Sequence, residues 1–204
     1  AQRFFSRLVD IPLYKIKVVE PLKVDVESFG AEYLLALKSD PISKTALLAS
    51  TIQTNMLLSR MLDPKSVALE NSFYGQKLFS FTDDMDVTNR LFHITQETEG
   101  RNSTGEHTKA DTLASIRDNQ NDLSISKNIA GQTWGLPKKI QGDLYLKKKI
   151  ERVSSQDPGI KEDAEIVVAT ASLEVGIDDP RVGAVVQHKS PKDIASFLQR
   201  KGRA

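Results

Sequence analysis

The chain has no cysteine. That removes disulfides and the usual structural zinc sites, and says little about compartment. It also has no excess of charge. Its 28 lysines and arginines face 27 aspartates and glutamates, for a formal net charge of +1. Any contact with nucleic acid must therefore come from local basic and backbone groups, not from a globally basic surface. No apolar run reaches the roughly 20 residues that a membrane-spanning helix needs, and no signal-peptide pattern opens the sequence. The expectation is a soluble, cytoplasmic protein with no membrane partner. No Gly-x4-Gly-Lys-Ser/Thr run occurs, so the loop that cradles nucleotide phosphates is missing from these residues. The 204 residues suit one domain with a linker, or parts of two.

What is present concentrates from Glu165 onward. Residues 166–168 are a short, continuous apolar run, as a strand buried on both faces requires, and residues 182–186 are a second. Between them Gly176 and Asp178 lie in a loop, where an α/β sheet presents its ligand-binding edge. A helix follows. Ser190 reads as its N-cap, Pro191 fits the first helical position, and Asp193 completes a Ser-x-x-Asp capping box. Ile194, Phe197 and Leu198 fall on one face, toward the core, while Gln199 and Arg203 fall on the other.

Ala169-Thr170, then Gly176-Ile177-Asp178, then Gln199-Arg200-Lys201-Gly202-Arg203 resemble motifs V and VI of superfamily 2 helicases and translocases. Residues 77–82, a buried-strand pattern ending in Asp83-Asp84, resemble motif IV. The resemblance implies a RecA-like parallel α/β sheet with flanking helices, preceded by a helical linker. Residues 1–21 would end a first RecA-like domain, 22–75 would form the linker, and 76–204 would be the second RecA-like domain, truncated within motif VI. It further implies ATP as substrate, with Mg²⁺ held by the first RecA-like domain of the same protein, and single-stranded DNA as partner. Arg203 would match an arginine finger, Arg200 would support it or orient the helix, and Gln199 would sense the γ-phosphate or position water. Gly176 would let the backbone approach closely, and Asp178 would meet the ribose or couple the two sites. Thr82, Thr170 and Ser172 would hold phosphates of the nucleic acid. The chain alone would not hydrolyse ATP. The last third looks most like large bacterial helicases, including helicase subunits of anti-phage defence systems of the DISARM kind. A non-catalytic RecA-like module that binds nucleic acid or a partner subunit stays open, as does an RNA helicase. So do plainer readings of Gly176 as a turn glycine and Arg200 as a surface ion-pair partner.

The remaining residues carry weaker signals. Phe4, Phe5 and Leu8 are helix-spaced, with Pro12 as the stop, and residues 15–19 alternate as a strand. Residues 29–37 read as a short helix. A longer one spans 44–62, capped by Ser43, with a stripe of Leu48, Ile52, Met56 and Ser59. Asp83, Asp84 and Asp86 fit helix caps better than metal ligands, and a helix over 87–94 turns Leu91 inward. Residues 96–111 read as a polar, mobile loop. Helices are expected over 112–117 and 137–150, with Trp134 in the core, Lys147–Lys149 on a solvated face, and a strand over 150–154.

Overall fold

The computed structural model describes residues 2–19, 22, 24, 32–38, 46–102, 104, 106, 111–118, 133–140, 143–154, 160–170, 173 and 177–203. The chain divides into two compact units, residues 1–37 and 38–204. In the first, helix α1 (Gln2–Val9) forms as its apolar spacing predicts, yet Phe4, Phe5 and Leu8 are all exposed. The Ile11 amide closes it by donating to the Ser6 carbonyl at 3.1 Å. The expected strand at 15–19 is absent. Leu13–Lys15 is a single 3-10 turn, and the described residues of this unit supply no neighbouring strand to complete a ladder. The expected helix at 29–37 fails where it can be seen, because residues 32–38 have no regular structure. Tyr33, Leu34, Leu35 and Leu37 are exposed, and so short a helix does not hold without a surface to pack on.

The second unit is built on a parallel sheet of β1 (Lys77–Phe81), β2 (Ile150–Val153), β3 (Ile166–Ala169) and β4 (Val182–Gln187), in the order β2-β3-β1-β4. The central strands β1 and β3 are buried along their whole length, which is why they read as unbroken runs. The pleat sends Leu78 to one face and Phe79 and Phe81 to the other. Each such side chain contributes about 1.5–3 kcal/mol by leaving water. The Phe79 and Phe81 rings also meet edge to face, with centroids 6.2 Å apart. At the head of β4 the register with β1 shifts. There Gly75, at φ +67°, and Gly183 bring two backbones together, and a Cβ on Gly183 would lie 1.6 Å from the Tyr74 carbonyl oxygen.

Helix α2 (Ala46–Ser59) lies inside the expected span. Ile52, Met56 and Ser59 are buried and Leu48 packs on the same core. The Ser43 cap falls outside the described residues. The helix rests on β1 and β4, where the Asn55 amide nitrogen donates to the Ser80 hydroxyl at 2.9 Å. Helix α3 (Met85–Thr98) starts earlier and runs further than expected. Asp84 caps it, accepting from the amides of Asp86 at 2.8 Å and Val87 at 3.2 Å, and Leu91 is fully buried. It absorbs the start of the segment read as a loop from residue 96. Thr112 and Ser115 cap the short helix α4 (Leu113–Ile116) reciprocally.

The long helix expected over 137–150 is not formed. Helix α5 (Gly135–Lys139) is a single short piece beside the buried Trp134, and residues 143–149 reach β2 without helix. Distant carboxylates explain this. Glu99 accepts from the Lys148 amide at 3.1 Å, and Glu165 from the Lys149 amide at 3.0 Å, so these donors are satisfied without a helical ladder. Lys148 is therefore not on a solvated face. It is buried, and its ammonium pairs with Glu165 at 3.0 Å. No helix among the described residues is long and apolar enough to cross a membrane.

Candidate functional site

In a parallel sheet, ligand-binding groups gather in the loops beyond the carboxyl ends of the strands. Here Thr82 and Asp83 follow β1, Thr170 follows β3 and His188 follows β4. Helix α6 (Ile194–Lys201) comes next. Its N-cap is Asp193, whose carboxylate accepts from the Ser196 amide at 2.8 Å. The expected start at Ser190 is corrected: a charged carboxylate suits the positive helix end better than a hydroxyl, and Pro191 and Lys192 stay in the preceding turn. The expected apolar inward face is corrected as well. Ile194 and Leu198 are exposed, Phe197 is half-buried, and the buried residue of this helix is Arg200.

Arg200 is 3% exposed. One guanidinium nitrogen donates to the Gln187 side-chain oxygen at 2.6 Å, a second pairs with the Asp83 carboxylate, and the group lies over the Phe81 ring, 5.4 Å from its centroid. It thus ties α6 to the ends of both β1 and β4. Arg203 does not belong to the helix, because Gly202 caps the C-terminus. It is half-buried, and its guanidinium donates to the Ile177 carbonyl, in the segment leading to β4. Arg203 therefore has no helical phase that would set it opposite Ile194.

Gln199 and Asp178 are exposed and Thr170 is half-buried. Thr82 is fully buried. Its hydroxyl meets that of Thr88 at 2.5 Å and donates to the Asp84 carbonyl at 3.1 Å, so in this arrangement it is engaged inside the protein. Gly176 and Ser172 lie outside the described residues. Beside Asp178, Asp179 is locked down by Lys77 at 2.8 Å and by Arg181 at 2.8 and 2.9 Å. Burial alone would raise its pKa, but the bonds from Arg181 and Lys77 outweigh this and hold the carboxyl well below the usual range.

Sequence reasoning missed three participants: Asp83 as a partner for arginine, Gln187, and the His188–Thr51 contact. The Thr51 hydroxyl donates to the Leu47 carbonyl at 3.0 Å, so toward His188 Nδ1, 2.7 Å away, it accepts. Burial, and then the neighbouring Lys189 charge, lower the His188 pKa, favouring the neutral imidazole. The one available signal was position: Gln187 and His188 stand at the carboxyl end of a strand.

Comparison with known proteins agrees with the motif reading at a coarse level. Residues 138–204 match the helicase conserved C-terminal domain. The sheet and its flanking helices are consistent with a RecA-like α/β fold. A putative ATP-dependent DNA helicase Q1 of Caenorhabditis briggsae is 33% identical over 55 residues, 27% of this chain and 9% of that protein. Its namesake in Caenorhabditis elegans is 34% identical over 55 residues, again 27% and 9%. Dicer-like protein 2 of Coccidioides immitis (strain RS) is 50% identical over 40 residues, 20% of this chain and 3% of that protein. The matched stretch thus spans less than a tenth of each of these relatives. No solved structure matches the chain.

Proposed function

We propose that this chain is the second motor half of an ATP-dependent DNA helicase or translocase, working with a first RecA-like domain that supplies the phosphate cradle. One observation carries the reading. Arg203, in the segment resembling motif VI, donates to the carbonyl of Ile177, in the segment resembling motif V, and both lie within the stretch that matches a helicase C-terminal domain. Likeness to the two nematode DNA helicases favours DNA over RNA. The narrower reading, a helicase of an anti-phage system, rests on the sequence resemblance alone and gains nothing from these relatives.

In the working protein Arg203 would exchange the Ile177 carbonyl for the γ-phosphate, where a guanidinium forks onto two oxygens. Gln199 would position the attacking water. Asp178 would accept from the ribose, its backbone steadied by the fixed Asp179, and Gly176 would allow close approach. Thr170 and Ser172 would take phosphates of a single DNA strand, while the buried Thr82 hydroxyl, bonded to the Asp84 carbonyl and to Thr88, would set the turn after β1. Magnesium would be held by the first domain, as the resemblance implies.

The test is steady-state ATPase of the full-length protein with saturating single-stranded DNA. Arg203→Ala is expected to fold normally and to lose roughly 10³ in turnover. ATP and DNA affinity should change far less, because the contact matters most in the transition state. Arg203→Lys should recover little. Wild-type turnover in folded Arg203→Ala protein would remove the finger and the main support for a motor.

A further inference from the structure

We propose that Asp83 and Gln187 are positioning residues. Through Arg200 they hold the arginine-bearing end of α6, and Asp83 links the turn after β1 to nucleotide turnover. This deepens the motor reading above and rests on it. The apolar side chains of α6 do little to seat it, since Ile194 is 77% and Leu198 56% exposed while Arg200 is buried. What fastens the helix is a guanidinium that reaches two strands at once. It bonds Gln187 on β4 and Asp83 after β1, and stacks on Phe81 at the end of β1. Both partners are themselves held. The Gln187 amide nitrogen donates to the His188 carbonyl at 3.1 Å, which fixes the side-chain oxygen toward Arg200. Asp83 sits between Thr82, whose hydroxyl bonds the Asp84 carbonyl, and Asp84, which caps α3.

The clamp leads on to Arg203. The Arg203 amide donates to the Arg200 carbonyl at 3.1 Å, so a displacement of Arg200 carries Arg203 with it. A guanidinium with its Nη nitrogens engaged in this way orients its neighbour and does not itself meet a phosphate. The turn that Asp83 shares with Thr82 lies where the motor reading expects nucleic acid to be felt. A shift of that turn would therefore reach Arg203 through one ion pair and one backbone bond.

The experiment measures kcat and KM for ATP, with saturating single-stranded DNA, alongside a melting curve, in the full-length protein. Asp83→Asn is expected to lower kcat by up to about 10²-fold, the scale of a small misplacement of a reacting group. KM should stay close to wild type, and Tm should fall only modestly, because the asparagine oxygen still accepts from the buried Arg200. Arg200→Lys should behave alike, and the double variant should be no worse than either single, because both break the same contact. Gln187→Met, which keeps side-chain volume and removes the acceptor, carries the test where Asp83→Asn fails to fold. Three results would overturn the assignment: wild-type kcat in a folded Asp83→Asn or Gln187→Met protein, losses of kcat that multiply in the double variant, or kcat falling only in step with Tm. A wild-type protein without DNA-stimulated turnover would overturn the motor reading itself, and the positioning role with it. Wild-type turnover that persists in the variants sinks the clamp alone.

Discussion

The two edges of the sheet handle charge in opposite ways. At the amino-terminal edge, charges close on one another. Lys77 and Arg181 share Asp179, Lys148 pairs with Glu165, and Arg60 grips Glu99 through two bonds of 2.7 and 2.8 Å with both side chains fully buried. At the carboxyl-terminal edge, Arg200 is closed in the same manner, but Gln199 and Asp178 face outward and Arg203 is held by a backbone carbonyl. A carbonyl is a weaker partner for a guanidinium than a carboxylate. On the motor reading proposed above, the Arg203 charge would be handed to a ligand, and the contrast would separate contacts that build the fold from one that serves turnover.

The largest effect should come from the deepest pair. Glu99→Ala leaves Arg60 buried without its carboxylate, and the folded state should lose about 3–5 kcal/mol, read from urea unfolding. Replacing both residues, as Arg60→Met with Glu99→Leu, should recover most of that loss. If the single variant is as stable as wild type, the amino edge is not the architectural one.

Next in size is Lys77→Met, which should cost about 2 kcal/mol at neutral pH as a charged hydrogen bond is lost. Its pH dependence sharpens the comparison. Asp179 titrates below its ordinary 3.8 in the folded protein, so its contribution is whole above that value and is lost as the pH falls through the folded pKa. The stability gap between wild type and Lys77→Met should therefore close on acidification, and a gap constant down to pH 2 would separate Asp179 from the effect.

At the other edge the expected change is in binding, not in folding. Thr170→Val in the full-length protein should weaken single-stranded DNA several-fold, on the order of one hydrogen bond, with no change in sequence preference. A fluorescence titration that finds unchanged affinity would return Thr170 to the role of a strand end. Smallest of all is Lys161→Ala. Its partner Glu151 is 2.7 Å away, but the lysine side chain is 72% exposed, and no measurable shift of Tm is expected.

What could be read from the sequence follows from how local its cause is. The strands were legible because β1 and β3 are buried on both faces and need only their own apolar residues to say so. The stripe of α2, the Asp84 cap and the buried Leu91 and Trp134 follow from spacing within a few residues. The failures have remote causes. The segment before β2 is not a helix because Glu99 and Glu165 claim its amides. Residues 15–19 alternate like a strand but find no strand beside them among the described residues. At the site, the motif residues were visible as a pattern, while the burial of Arg200 was not. Its carboxylate partner stands 117 residues away, and an arginine near a helix end ordinarily reads as surface.

Strand order has a consequence for the life of the chain before it is folded. β1 lies between β3 and β4, yet the ribosome delivers it ahead of both. Its apolar residues and both its hydrogen-bonding edges must wait for partners from much later in the sequence, and α2 meets His188 across 137 residues. Closing such long loops is slow, and an apolar strand left unpaired in the meantime invites pairing with other chains. Nascent chains halted before Val182 should therefore be the most prone to aggregate, and synthesis of β4 is the step that releases them.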